Sequence, residues 1–175
     1  MKYIFPKDMK KLLYGLDNID ISFPYIFLFE GVFDSLFVRN GVATGTKAVT
    51  AYQLKLIKER FPYHQIVISF DNDAAGIESM EKLIQGNNDY KYFKWFDSST
   101  EAKDINELVL KKADVNIFSD PDKLKKLVVD KLMMKMHLMQ CGKWIKKARH
   151  GTDFRSTKKR EVQQCSLRQI FPIAP

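Results

Sequence analysis

Two short apolar runs in this chain each end on acid. Ile26-Phe27-Leu28-Phe29 stops at Glu30-Gly31, and Ile66-Val67-Ile68-Ser69-Phe70 stops at Asp71-Asn72-Asp73, followed by Ala74-Ala75-Gly76. Runs that are apolar at nearly every position suit strands covered on both faces, as in a parallel sheet layered between helices. Open α/β sheets place their ligands beyond the carboxyl ends of the strands, so Glu30, Asp71 and Asp73 are expected to converge at one sheet edge. Close carboxylates repel one another unless a cation lies between them, and Mg²⁺ prefers hard oxygen donors. These three residues read as the catalytic and metal-holding set of a phosphate-chemistry site. Gly31 adds no side chain, which lets a ligand approach the backbone beside Glu30. Strand geometry continued past Phe70 would put Asp71 and Asp73 on one side and point Asn72 away. The competing reading is that the acids cap the helices that follow, since helix N-termini favour Asp and Glu. Capping accounts for one such acid more easily than for all of them.

The elements that must position these residues alternate along the chain. Strands are expected at 26–30, 42–44, 66–70 and 90–96, and helices at 33–40, 52–60, 74–84 and 104–112. Phe33, Leu36 and Phe37 have the i, i+3, i+4 spacing of a buried helix face, and Gly41 would stop that helix. Thr50 is placed to cap the second helix, which ends before Pro62. Strands alternating with helices imply βαβ units, hence an α/β, Rossmann-like parallel sheet of about four strands with flanking helices. Beyond it, Asp120-Pro121-Asp122 reads as a helix start, with Leu124, Leu127, Val128 and Leu132 as one apolar stripe. Met133, Met134, Met136 and Met139 extend that stripe as packing residues, a partner-binding face being the lesser reading.

Composition narrows the classes. The chain has 175 residues, 45% of them hydrophobic, enough for one domain and a small appendage. No apolar run approaches the ~20 residues of a membrane span, and the first residues lack the apolar core of a secretory signal. Cys141 and Cys165 are the only cysteines, too few for a disulfide framework or a four-cysteine zinc site. A reducing cytoplasm is the expected setting. His64, His137 and His150 are scattered without ligand spacing. Charge is uneven: residues 1–110 carry 13 Lys and Arg against 15 Asp and Glu, a net of −2, and residues 111–175 carry 16 against 6, a net of +10. A basic segment beside a phosphate-chemistry site is the footprint of a nucleic-acid binder, against the plainer reading of a solvated basic tail.

Five elements, in order, carry a family resemblance. Phe29-Glu30-Gly31-Val32-Phe33-Asp34 resembles the first signature of the TOPRIM domain of primases, topoisomerases and some nucleases. Phe70-Asp71-Asn72-Asp73-Ala74-Ala75-Gly76 resembles its Asp-x-Asp signature in the form used by bacterial and phage DNA primases. Val42-Ala43-Thr44-Gly45-Thr46 is similar to the primase segment ending in Gly-Thr, and Leu12-Leu13-Tyr14-Gly15-Leu16 to the run that precedes the primase core. Lys103-Asp104-Ile105-Asn106-Glu107-Leu108 resembles the Lys-Asp-Pro-Asp-Glu element, with Asn106 where the family has its second acid.

The resemblance implies a TOPRIM fold over residues 25–112, a connector over 1–24, a helical extension over 113–142 and a basic tail over 143–175. It implies a DNA primase core that makes RNA primers from ribonucleoside triphosphates on a single-stranded DNA template. The ion would be Mg²⁺ or Mn²⁺, held by Glu30, Asp71 and Asp73 with Asp34 and Asp104. Gly45, Thr46, Lys47 and Lys103 would meet the nucleotide. Lys143, Lys146, Lys147, Arg149, Lys158, Lys159 and Arg160 would bind nucleic acid. The setting would be a bacterial or phage-infected cytoplasm, with a replicative helicase as a further partner. The family's upstream zinc module has no counterpart in these residues. Two alternatives stay open: a metal-dependent TOPRIM nuclease, and a truncated core that binds nucleic acid or a helicase without making primers.

Overall fold

A computed structural model of the chain describes residues 12–46, 48–86, 88–94, 102–111, 118 and 120–140. The first strand, β1 (Tyr25–Phe29), leads into a short helix α1 (Val32–Leu36) and strand β2 (Gly41–Ala43). Helix α2 (Ala51–Arg60), strand β3 (Gln65–Ile68), helix α3 (Ala74–Gln85) and strand β4 (Lys91–Phe93) follow. The remaining elements are α4 (Ile105–Leu110), α5 (Pro121–Lys125), β5 (Val128–Val129) and α6 (Lys131–Gln140). The sheet order is β2-β1-β3-β4-β5, parallel except for the last pair. The parallel α/β sheet is therefore as expected, with a fifth, antiparallel strand added at its edge.

The apolar run of β1 is explained by both sheet faces being covered. Ile26 and Leu28 join Ile66, Ile68 and Tyr92 on one face, under Ile57 of α2, Met80 of α3 and Met134 of α6. Phe27 and Phe29 join Val67 and Phe93 on the other, under Ile105 and Leu108 of α4 and Leu124 of α5. All four β1 residues are fully buried or nearly so. At ~2 kcal/mol for each large apolar side chain removed from water, β1 alone contributes on the order of 8 kcal/mol. This gross burial holds the strand that ends at Glu30 in the middle of the core.

Three helix expectations change. Helix α1 turns Asp34 and Ser35 inward, while Phe33, Leu36 and Phe37 are 65%, 60% and 40% exposed. The apolar spacing of 33, 36 and 37 is real but faces outward, because Asp34 is drawn to the backbone of α4. The chain is turned back before Gly41 by Asn40, which takes the left-handed conformation at φ 56°, one that Asn tolerates better than most residues. Gly41 opens β2 instead, where a Cβ would overlap the Ser35 carbonyl. The buried Asn40 side chain donates to the Asp20 and Tyr25 carbonyls at 2.9 and 3.1 Å and accepts from the Asp20 N–H at 2.8 Å. In this way it ties the segment before β1 to the sheet.

The stripe from Leu124 to Leu132 is not one helix. Val128 and Val129 pair with Phe93 and Tyr92 as β5. Asp130 then restarts the helix by accepting the Met133 N–H at 2.8 Å. Two β-branched residues at the sheet edge outweigh the helical period there. In α6, Met134 packs inward as expected, with Leu138 beside it, but Leu132, Met133, Met136 and Met139 are exposed rather than packed. Capping at Thr50 is as expected: its Oγ1 accepts from the Gln53 N–H, and Gln53 Oε1 accepts from the Thr50 N–H. Among the described residues no helix is long and apolar enough to cross a membrane.

Candidate functional site

Because β1, β2, β3 and β4 run parallel, their carboxyl ends share one edge of the sheet. Glu30 follows β1 directly and is half-buried. Its carbonyl accepts the Gly45 N–H at 3.1 Å, and the Phe29 carbonyl accepts the Thr44 N–H at 3.0 Å. Gly45 sits at φ 65°, and the Thr44 hydroxyl donates to the Thr46 carbonyl at 2.6 Å. The Gly45-Thr46 turn is thus held beside Glu30. Lys47 and the basic residues from Lys143 to Arg160 lie outside the described residues.

The second acidic group is assembled around α1, α3 and α4. Asp34 Oδ1 accepts the Asn106 N–H at 2.9 Å, across 72 residues of chain. A Cβ at Gly31 would overlap Asp34 Oδ2, so Gly31 is the residue that lets this carboxylate lie flat against the strand end. Asp73 caps α3, accepting the Gly76 N–H at 2.9 Å. Gly76 packs on the Asp71 backbone, where a Cβ would overlap the Asp71 carbonyl oxygen. Asp104 caps α4 and accepts the Glu107 N–H at 2.7 Å. Capping is therefore correct for Asp73 and Asp104 and does not explain Asp34 or Asp71.

Strand geometry ends at Ile68, so Asp71 to Asp73 form a loop rather than a strand end. The two aspartates nevertheless share a partner: Lys103 Nζ lies 3.6 Å from Asp71 Oδ2 and 3.5 Å from Asp73 Oδ2. Asn72, expected to point away, is structural. Its N–H donates to the Lys103 carbonyl at 2.7 Å and its Nδ2 to the Ala102 carbonyl at 3.1 Å. Glu107 accepts the Lys103 N–H at 2.7 Å. The Asp104-x-x-Glu107 spacing, a capping-box pattern, was the sequence signal for Glu107. Asn72 carried none.

Burial first, and charge repulsion after it, set the direction in which the carboxyls of this cluster shift. Burial raises Asp71 first; the Asp34 charge adds to it, Lys103 opposes, and Asp104 and Asp73 add further, bringing it up to about 6. Burial also raises Asp34, against the pull of the Asn106 N–H. The Gly76 N–H, by contrast, lowers Asp73. Lys103 is raised, first by Asp71 and then by Asp73. Among the described residues no three acidic, histidine or cysteine side chains close into a metal shell. Yet the donors facing the loop are carboxylate oxygens, and one lysine leaves Asp71 short of positive charge, a chemistry that fits a hard divalent ion.

Comparison with known proteins agrees with this architecture. Residues 27–109 match the family model described as Toprim-like, and Toprim domains generally bind divalent metal ions. None of the curated proteins compared with the chain matches it. The crystal structure of the primase fragment of the bacteriophage T7 primase-helicase protein is similar at 23% identity and a TM-score of 0.47. That match covers 61% of this chain and 47% of the T7 fragment, so the chain spans about half the length of that relative. The matched span opens within β1 and closes within α4, taking in Glu30, Asp34, Asp71, Asp73 and Asp104: residues 27–109 of this chain match a Toprim-like domain.

Proposed function

We propose that this chain is the catalytic core of a phage-type DNA primase, joining ribonucleotides on a single-stranded DNA template with Mg²⁺ or Mn²⁺. The observation that carries the reading is the gathering of Asp71, Asp73 and Asp104 around Lys103 beyond the parallel strands, with Asp34 acting on Asp71. The ordered primase-like elements from Leu12 to Leu108 favour primer synthesis over other Toprim chemistry. Glu30, Asp71 and Asp73, with Asp34 and Asp104, would hold the ion. When bound, such an ion neutralises phosphate charge and lowers the pKa of an attacking hydroxyl.

What the protein's own residues contribute is position. Asp73 and Asp104 are fixed by the caps they form, Asp34 by the Asn106 N–H, and Asp71 by the close approach of Gly76. Phosphoryl transfer depends mainly on such positioning and on charge neutralisation. The Gly45-Thr46 turn offers backbone to a triphosphate beside Glu30, and Lys47 and Lys103 offer charge. Basic residues from Lys143 to Arg160 would hold template through phosphates, so affinity would fall steeply with salt.

The test is one reaction read two ways. The protein is mixed with Mg²⁺ or Mn²⁺, end-labelled single-stranded DNA and labelled ribonucleotides, alongside Asp71→Asn. Short RNA that disappears in the variant supports the proposal. Shortened DNA would make the chain a nuclease instead. DNA retained on a gel with neither product would make it a binding core without chemistry of its own.

A further inference from the structure

Lys103 holds its place in a way that an ordinary surface ion pair does not. Its ammonium lies within 3.6 Å of carboxylate oxygens on both Asp71 and Asp73. The residue between those two, Asn72, donates its backbone N–H to the carbonyl of Lys103 itself. The Asn72 side chain adds a bond to Ala102, and Glu107 takes the Lys103 N–H. The Asp71-Asn72-Asp73 tripeptide therefore clasps Lys103 at both ends, the middle residue holding the backbone and the outer two holding the side chain. The ammonium sits where two loop carboxylates converge, with Asp104 adding to the pull on it. Yet the Lys103 side chain remains 51% exposed, so its four-carbon stem can carry the charge outward without disturbing the core.

We infer that Lys103 is the resident counter-cation of the acidic loop, holding Asp71 and Asp73 together in the ion-free protein and excluding, and being displaced by, a divalent ion at these two carboxylates. The inference rests on the metal-site reading above and adds a regulation to it. A single positive charge between two carboxylates relieves their repulsion. A divalent ion bound by the same oxygens leaves the ammonium repelled and free. Its backbone stays pinned to Asn72, so the released charge remains at the mouth of the site, within reach of an arriving phosphate. Ion binding and triphosphate binding are thereby coupled, and the coupling is reciprocal.

The experiment is a Mn²⁺ titration followed by the electron paramagnetic resonance signal of the free aqueous ion, with no nucleotide present. It compares wild type, Lys103→Met, Lys103→Arg and Asp71→Asn. Lys103→Met keeps the length of the stem without its charge and should bind Mn²⁺ roughly five- to tenfold more tightly, the scale of a half-exposed charge interaction with two carboxylates. Lys103→Arg should remain near wild type, and Asp71→Asn should lose most of the affinity. Unchanged or weaker binding in Lys103→Met, with Asp71→Asn still impaired, overturns the counter-cation role and leaves the metal site standing. Equal tightening in the Met and Arg variants also overturns it, since charge would not be the cause. If neither wild type nor Lys103→Met binds Mn²⁺ up to millimolar concentration, the metal-site reading and this inference fail together.

Discussion

Replacing Asp71 by Asn should make the ion-free protein more stable, and the gain should depend on pH in a defined direction. Asp71 is 20% exposed and its carboxyl is raised from the ordinary 3.8 to about 6 by burial and by the Asp34 charge. Between these two values the folded protein holds a proton that the unfolded chain has released. Stability therefore falls as pH rises through the window from about 4 to 6, and the loss is complete above the folded value. At ~1.4 kcal/mol per tenfold, the interval corresponds to about 3 kcal/mol. The loss of attraction to Lys103 is already contained in that difference. An asparagine has no charge to desolvate, so with chelator present at pH 7.5 the variant should melt roughly 8 to 12 °C above wild type. At pH 4 the two should nearly coincide. Adding Mn²⁺ should raise the wild-type melting temperature and leave that of the variant almost unchanged. The assay is differential scanning calorimetry at a series of pH values, with chelator or Mn²⁺. A variant less stable than wild type above pH 7, or a difference that does not change with pH, would refute the claim that Asp71 is held against its own charge.

Other substitutions separate site from scaffold. Gly76→Ala puts a methyl group into the Asp71 carbonyl; because backbone must move, a loss of about 2 to 4 kcal/mol is expected in urea unfolding, with Mn²⁺ affinity lowered. Gly31→Ala meets a side chain, Asp34 Oδ2, so it should cost only ~1 to 2 kcal/mol in the same assay while still lowering Mn²⁺ affinity. Asn40→Ala removes four hydrogen bonds at a buried, left-handed position, and a melting experiment should show a loss of about 2 to 4 kcal/mol. Thr50→Ala deletes the cap of α2, whose hydrogen bonds run to Gln53, and should cost ~1 kcal/mol with Mn²⁺ affinity unaltered, which makes it the control for the others.

Much of the sheet was legible because β1 and β3 are apolar on both faces, and only a covered parallel sheet asks that of consecutive residues. The acids were legible for the same reason: a run that ends abruptly on Glu30 or Asp71 marks a strand leaving the core for the ligand edge. What could not be read was direction where two signals competed. Phe33, Leu36 and Phe37 keep helical spacing, and nothing local reveals that Asp34 outbids them for the inward position through the Asn106 N–H, 72 residues away. Val128 and Val129 fit a helical stripe as well as a strand until Tyr92 and Phe93 are known to lie beside them. The role of Asn72 depended on where residues 102 and 103 return, which period and propensity do not encode.

The misreadings at Asp34, Asn72 and Asn40, unlike that at Val128, share a cause that bears on the chemistry. At each of them a polar group is satisfied by a distant partner at the expense of the local pattern: Asp34 by the backbone of α4, Asn72 by Ala102 and Lys103, Asn40 by Asp20 and Tyr25. Local rules fail where a protein holds charge that it would be more stable without. The fold supports that cost with β1, buried on both faces of the sheet, and concentrates it in one loop whose middle residue is pinned. If that is correct, the stability gained by removing charge at Asp71 and the metal affinity lost with it should come from the same residue, because a bound ion would relieve the burial and repulsion that make this carboxylate costly in the ion-free fold.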